Sequence, residues 1–238
     1  MELQEHLVAA RAAATLFEAC AEALLYQPTE RVLRDIKAVA EALGDARFDA
    51  IEQSDELMQR YYDRFFVPSS ACYIPLRENN LVRSYKDGSR IEYGPNEGPL
   101  SDHVIRCYNA VGFDYRALRG FAPARDSLRA DSLASECAFV AFLKGKEADV
   151  RAGVDVSAGA SDAAATGIEA EFCINATPMG VKDEPDVDTG AHLADLSEDF
   201  LRRHLRPFAH TAAEYAAADG EDFYAILCAF IRDWADIL

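Results

Sequence analysis

The stretch Asp131-Ser132-Leu133-Ala134-Ser135-Glu136-Cys137-Ala138-Phe139-Val140-Ala141-Phe142-Leu143 decides the fold class. It reads as a helix starting near Asp131, and from Cys137 to Leu143 that helix is apolar on nearly every side. A helix with no polar face belongs at the centre of a bundle, where neighbours cover it all round. Candidate neighbours lie on both sides of it along the chain.

Upstream, Leu3, Leu7, Ala10, Ala14, Phe17, Ala21 and Leu24 recur at steps of four and three, one stripe of an amphipathic helix ended by Pro28. Thr29 then caps a second helix carrying Val32, Ile36, Val39 and Leu43, stopped by Gly44. A third begins at Ser54, with Asp55 and Glu56 in its first turn and Leu57, Tyr61 and Phe65 on one face. Residues 68–100 carry prolines at 68, 75, 95 and 99 and turn signals at Asp87-Gly88 and Gly94-Pro95. They read as loop with one short helix near Leu76–Arg83. Val104, Tyr108 and Val111 restore the helical period before Gly112.

Downstream, residues 152–195 hold nine acidic residues against Lys182 alone, a net of −8, with no helical period. This segment reads as a solvated insertion, with a weak hairpin signal at Ile168–Ile174. Ser197 is then expected to cap a helix, with Leu196 and Leu201 as its hydrophobic staple. Its stripe Leu201, Leu205, Phe208, Ala212 and Tyr215 crosses Pro207, which predicts a kink. A last helix shows Phe223, Leu227, Phe230 and Trp234 on one face. The fold class is all-α: one helical domain over 1–238, in which the N-terminal residues 1–150 are joined to C-terminal helices at 195–238 by the acidic insertion 152–195.

The 238 residues include 24 Lys and Arg against 41 Asp and Glu, a net charge of −17, which disfavours nucleic acid and anionic membrane surfaces. The acidic N-terminus is unlike a secretory signal and no apolar run reaches membrane-spanning length, so a cytoplasmic protein is expected. Six scattered cysteines without CxxC spacing are expected to be buried thiols, with no disulfide framework, zinc or iron–sulfur site.

No strong catalytic motif is present. Asn175-Ala176-Thr177-Pro178-Met179-Gly180 is superficially similar to a shikimate dehydrogenase loop, but no GxGxxG accompanies it. Asp102-His103 is either a base or ligand pair, or a helix cap beside a surface histidine. The histidines at 6, 192, 204 and 210 show no HExxH or HxH spacing to complete a site. Glu136 lies on the face of Phe139 and Val140, so its carboxylate either meets buried donors such as an arginine or lines a pocket for a cation. Asp131 is either that helix's cap or a second ligand-facing acid.

The Asp131–Leu143 stretch resembles the "DHxxxELxFMxxL" segment of the TorD/DmsD-type redox-enzyme maturation chaperones. Five further pieces follow the family's order. Tyr61–Pro68 is similar to its "Y..LF..P" helix end, Tyr73–Glu78 to its proline-rich loop, and Tyr108–Phe113 to its "Y...GF" element. Phe200-Leu201 with His204-Leu205, then Phe223-Tyr224 with Leu227, resemble its "FL..HL" and "FY..L" patterns. The family's Asp-His pair reads Asp131-Ser132 here, and the insertion is longer than the family's hinge.

The resemblance implies a non-catalytic cytoplasmic chaperone without cofactor. Its partners would be the twin-arginine signal peptide and apoprotein of an exported molybdenum or tungsten oxidoreductase, bound until the cofactor is inserted. The protein would be a monomer or a domain-swapped homodimer. Such a leader joins paired arginines to an apolar stretch, so its receptor needs carboxylates beside an apolar groove. Tyr73, Ile74 and Pro75 are expected to meet the apolar stretch, and Glu78, Asp131, Ser132 and Glu136 the cationic end. A metal-dependent helical enzyme and a general helical adaptor are the alternatives.

Overall fold

In the computed structural model, residues 2–87, 90–153 and 189–238 are described. The hairpin signal at 168–174, the 175–180 hexapeptide and most of the acidic insertion lie outside them. The described chain is mainly helical. Its long helices are α1 (Glu2–Leu25), α2 (Glu30–Ala42), α3 (Asp55–Phe65), α5 (Pro99–Val111), α7 (Leu133–Arg151), α8 (Thr189–Phe200), α9 (Arg206–Ala217) and α10 (Phe223–Ile237). Short helices α4 (Glu78–Leu81) and α6 (Ala122–Asp126) lie between them. No helix among the described residues is long and apolar enough to cross a membrane.

The central element is α7. Every residue from Leu133 to Leu143 is buried, as an all-round apolar helix requires. Its main partner is α1, and α8 covers another side. The α1 stripe of Phe17, Cys20, Ala21 and Leu24 is buried, and small residues on both helices (Ala13, Ala21, Ala134, Ala138) suit a close approach. The thiols of Cys20, Cys137 and Cys228 are all buried, and loss of solvent raises the pKa of each. Among the described residues the cysteines are free.

The helix starts follow their caps. Thr29 accepts from the Val32 N–H and Ser54 from the Leu57 N–H, satisfying donors that the first turn leaves unpaired. Ser132 accepts from the Ser135 N–H and so caps α7, a role the sequence had offered to Asp131. Gly112, at φ 72°, closes α5 in the left-handed conformation. Asp222 caps α10 by accepting from Tyr224 and Ala225 N–H groups, and the same carboxylate accepts from Arg64 Nε at 2.7 Å. Arg64 is wholly buried and also donates to the Ala216 carbonyl, so α3 is tied to the α9–α10 corner.

Three expectations are corrected. Within a stretch read as loop, β1 (Tyr85–Asp87) and β2 (Arg90–Glu92) pair as antiparallel strands. Ser197 caps nothing: α8 already runs from Thr189, and Ser197 sits buried within it. The staple of Leu196 and Leu201 therefore has no helix start to brace. The break near Pro207 is real but takes the form of a π-helical turn over Leu201–Leu205, with the Arg206 N–H donating to the Leu201 carbonyl. Proline lacks an N–H for the preceding turn, and a wider turn before it accommodates the loss.

Candidate functional site

The loop after α3 carries the residues that the sequence nominated. Its backbone pairs with the start of α7: the Glu78 N–H donates to the Asp131 carbonyl at 2.8 Å, and the Leu133 N–H to the Leu76 carbonyl at 3.1 Å. Arg77 and Ser132 thereby form an isolated antiparallel bridge. The loop is held from behind by α4. Asn79 donates to the Pro95 and Glu97 carbonyls, and Asn80 to the Gly94 carbonyl. A side chain on Gly98 would meet the Asn79 amide at 2.5 Å, so glycine is required for that closeness.

Between this loop, α1, α3 and α6 lies a cavity of about 300 Å³. Tyr73, Ile74, Pro75 and Leu76 form one wall, Leu24, Leu25, Phe65 and Phe66 another, and Ser132 and Ala134 bring in the start of α7. Four nominated residues, Tyr73, Ile74, Pro75 and Ser132, thus share one cleft, whose open surface is about equally polar and apolar. Its size is at the lower end for ligand sites. Arg77 is the charged residue lining it.

The nominated carboxylates are elsewhere. Glu78 and Glu136 are wholly buried and Asp131 nearly so, and none lines the cleft. Glu78 therefore cannot act as a rim charge that guides a peptide in. Its two oxygens lie 3.0 Å from His204 Nδ1, while Asp131 accepts from Ser101 Oγ at 2.6 Å. Glu136 meets neither an arginine nor any other hydrogen-bond partner among the described residues. Burial holds its pKa well above the ordinary carboxylate value, and the neighbouring Glu78 and Asp131 charges add to the shift. Ionising a carboxyl in that position without a partner is costly, so its protonated form is favoured.

A second cavity, about 210 Å³, opens between α5 and the α8–α9 segment. It brings together residues that lie far apart in the sequence. His103 and Cys107 stand four apart on α5, hence on one face, and His204 comes from the π turn. His103 Nδ1 lies 2.6 Å from His204 Nε2 and 3.8 Å from Cys107 Sγ. His103 is neither a bare surface histidine nor part of a pair with Asp102, which is exposed. Burial, then the facing His204, lowers its pKa, while burial raises that of the Cys107 thiol. Those directions disfavour a thiolate–imidazolium nucleophile. The three side chains do offer ligand atoms all within 4.8 Å of one another.

His204 was missed because its partners lie 101 and 126 residues away. The i, i+4 spacing of His103 and Cys107 was visible in the sequence. No family model matches the chain, nor does any curated protein or solved structure.

Proposed function

We propose that this chain is a cytoplasmic chaperone of the redox-enzyme maturation type, which binds the leader of an exported oxidoreductase through the cleft beside the start of α7. The observation that supports it most is the cleft itself. Tyr73, Ile74 and Pro75 of the Tyr73–Glu78 loop, nominated by the family resemblance, form a wall of an open cleft that Ser132 also lines. Leu24, Leu25, Phe65 and Phe66 line its opposite wall, and a volume of about 300 Å³ suits a few side chains of a leader's hydrophobic stretch.

The cationic end of the leader needs a different account from the one the sequence offered. With Glu78, Asp131 and Glu136 buried, no nominated acid is placed to hold its arginines at the cleft. The net charge of −17 acts instead at long range, attracting a basic peptide and speeding encounter, while apolar burial supplies most of the affinity.

Calorimetric titration of the purified chain with three peptides tests this reading. One is a leader with paired arginines and about 12 apolar residues; the second has its arginines replaced by lysines, and the third has its apolar stretch broken by serines. The serine peptide should bind far more weakly than the first, and the lysine peptide within a few-fold of it. Absence of binding by every twin-arginine leader tried would refute the chaperone reading.

A further inference from the structure

The geometry points to a zinc site: Zn²⁺ held by His103 Nδ1, Cys107 Sγ and His204 Nε2, with a fourth position open to the cavity between α5 and the α8–α9 segment. The inference is independent of leader binding, since it concerns the other cavity and other residues.

Four observations carry it. The first is donor chemistry: two imidazoles and one thiolate form a borderline-soft set, which suits zinc and not the oxygen-seeking magnesium or calcium. Among the described residues no methionine lines the cavity to supply the axial ligand of a copper electron-transfer site.

The second is distance. Tetrahedral zinc, with bonds of about 2.0–2.1 Å to nitrogen and about 2.3 Å to sulfur, separates two nitrogens by about 3.3 Å and nitrogen from sulfur by about 3.6 Å. The His103–Cys107 separation of 3.8 Å is already close to this. The two ring nitrogens, 2.6 Å apart, must part by about 0.7 Å to take bonds of that length. His103 is only partly buried and can supply that movement by a small ring rotation, while the Cys107 and His204 ligand atoms, within 4.8 Å of each other, must close by up to about 1.2 Å through rotation of the Cys107 side chain.

The third is the outer contact of His204. Its Nδ1 faces both oxygens of the buried Glu78 at 3.0 Å, so an N–H donated there leaves the Nε2 lone pair for the metal. A carboxylate behind a ligating histidine is the usual way such a ring is oriented and its basicity raised. This gives a use to a buried acid that the peptide cleft does not employ.

The fourth is the open side. Arg106, Asp199 and Arg203 line the same cavity, and Asp199 is already engaged by the arginines at 202 and 203. Three protein ligands and a free position mark a site that exchanges its fourth ligand, unlike a closed four-ligand structural centre. Of the two lining arginines, Arg203 is paired with Asp199, and Arg106 is the one that favours an anion there: hydroxide, or a carboxylate or thiolate from another molecule. On ligation the Cys107 proton passes to solvent.

The test uses the whole chain, free of affinity tags, stripped with chelator and titrated with Zn²⁺ and separately with Co²⁺. One equivalent of Zn²⁺ should survive equilibrium dialysis at micromolar concentration. The Co²⁺ form should show a thiolate-to-metal charge-transfer band and the intense visible bands of four-coordinate cobalt. Cys107→Ser should abolish the charge-transfer band, and His103→Gln should weaken Zn²⁺ binding at least tenfold. Both positions are partly exposed, so thermal melts of the metal-free variants should match the wild type and show that the loss is local. No retained Zn²⁺, or unchanged binding in the double variant, would overturn the assignment. So would a cobalt spectrum that Cys107→Ser leaves intact, since the thiol would then lie outside the coordination sphere.

Discussion

Glu136→Gln should make the protein more stable at neutral pH, although it replaces a fully buried acid in the central helix. Both Glu136 oxygens are buried without a partner, and the desolvated carboxyl lies near Glu78 and Asp131. Its pKa is therefore raised above the ordinary value of 4.5 that the unfolded chain retains. Between 4.5 and the folded-state pKa, the folded protein binds the proton and the unfolded chain does not. Stability thus falls as pH rises through that window, by about 1.4 kcal/mol per pH unit for this one group. Glutamine has nearly the same shape and no proton to lose, so its contribution is flat with pH. Near pH 4.5 the two proteins should agree within about 1 kcal/mol, since each buries a neutral polar head group. Above it, the advantage of the variant should grow by about 1.4 kcal/mol per unit until the folded pKa is reached. Urea unfolding of both proteins at half-unit steps from about pH 5.5 to 8 measures the difference directly. Parallel curves across that range would refute the reasoning, since they would mean that Glu136 is ionised in the fold and holds a counter-charge.

Three further outcomes follow from other regions of the chain. Asp222→Asn keeps an acceptor for the α10 cap but removes the charge facing the wholly buried Arg64, and should cost about 3 kcal/mol in urea unfolding; Asp222→Ala should cost about 1 kcal/mol more by losing the cap as well. A loss under about 1 kcal/mol for the asparagine variant would show the ion pair to be unimportant. Glu18, partly buried on α1 beside Glu22, has its pKa raised to about 7, by burial first and the Glu22 charge second. Its effect on stability is lost progressively from pH 4.5 to about 7, so Glu18→Gln should gain roughly 1–2 kcal/mol at about pH 8 after allowance for solvent screening, and no gain there would contradict the shift. Association of a basic leader peptide should slow several-fold in stopped flow between about 0.02 and 0.3 M salt, with little change in dissociation; a salt-independent on-rate would rule out steering by the net charge.

The features of this molecule that were legible in its sequence are those set by local physics. Thr29 and Ser54 cap where a side-chain oxygen precedes an apolar period, Gly112 ends α5, and the unbroken apolar run of α7 is buried as its pattern demands. The pairing of Tyr85–Asp87 with Arg90–Glu92 was missed because three-residue strands give no usable alternation, although the sequence carries the turn signal Asp87-Gly88. Ser197 misled because a serine before a charged turn looks the same at a helix start and inside a helix. The cleft was legible as a proline-rich loop beside a helix start. The burial of Glu78 was not, because an acid four residues from a valine reads alike at a surface and in a core; for Glu136 burial was one of two readings, and what stayed hidden is that it has no hydrogen-bond partner among the described residues. The pairing of His103 with His204 depends on where α5 and the π turn meet, and no spacing along the chain encodes that.

The most direct measurement of the central claim is leader binding to a protein whose cleft has been filled. Ser127 is exposed, lines the cleft and lies at the end of α6, so Ser127→Trp can place an indole in the cavity without disturbing the α1–α7 core. Calorimetric titration of wild type and Ser127→Trp with the same twin-arginine leader, beside thermal melts of both, makes the comparison. The account predicts equal melting and at least a tenfold weaker Kd for the variant, a loss of about 1.4 kcal/mol. Equal affinity in a folded Ser127→Trp protein would contradict it and move the leader off this cleft.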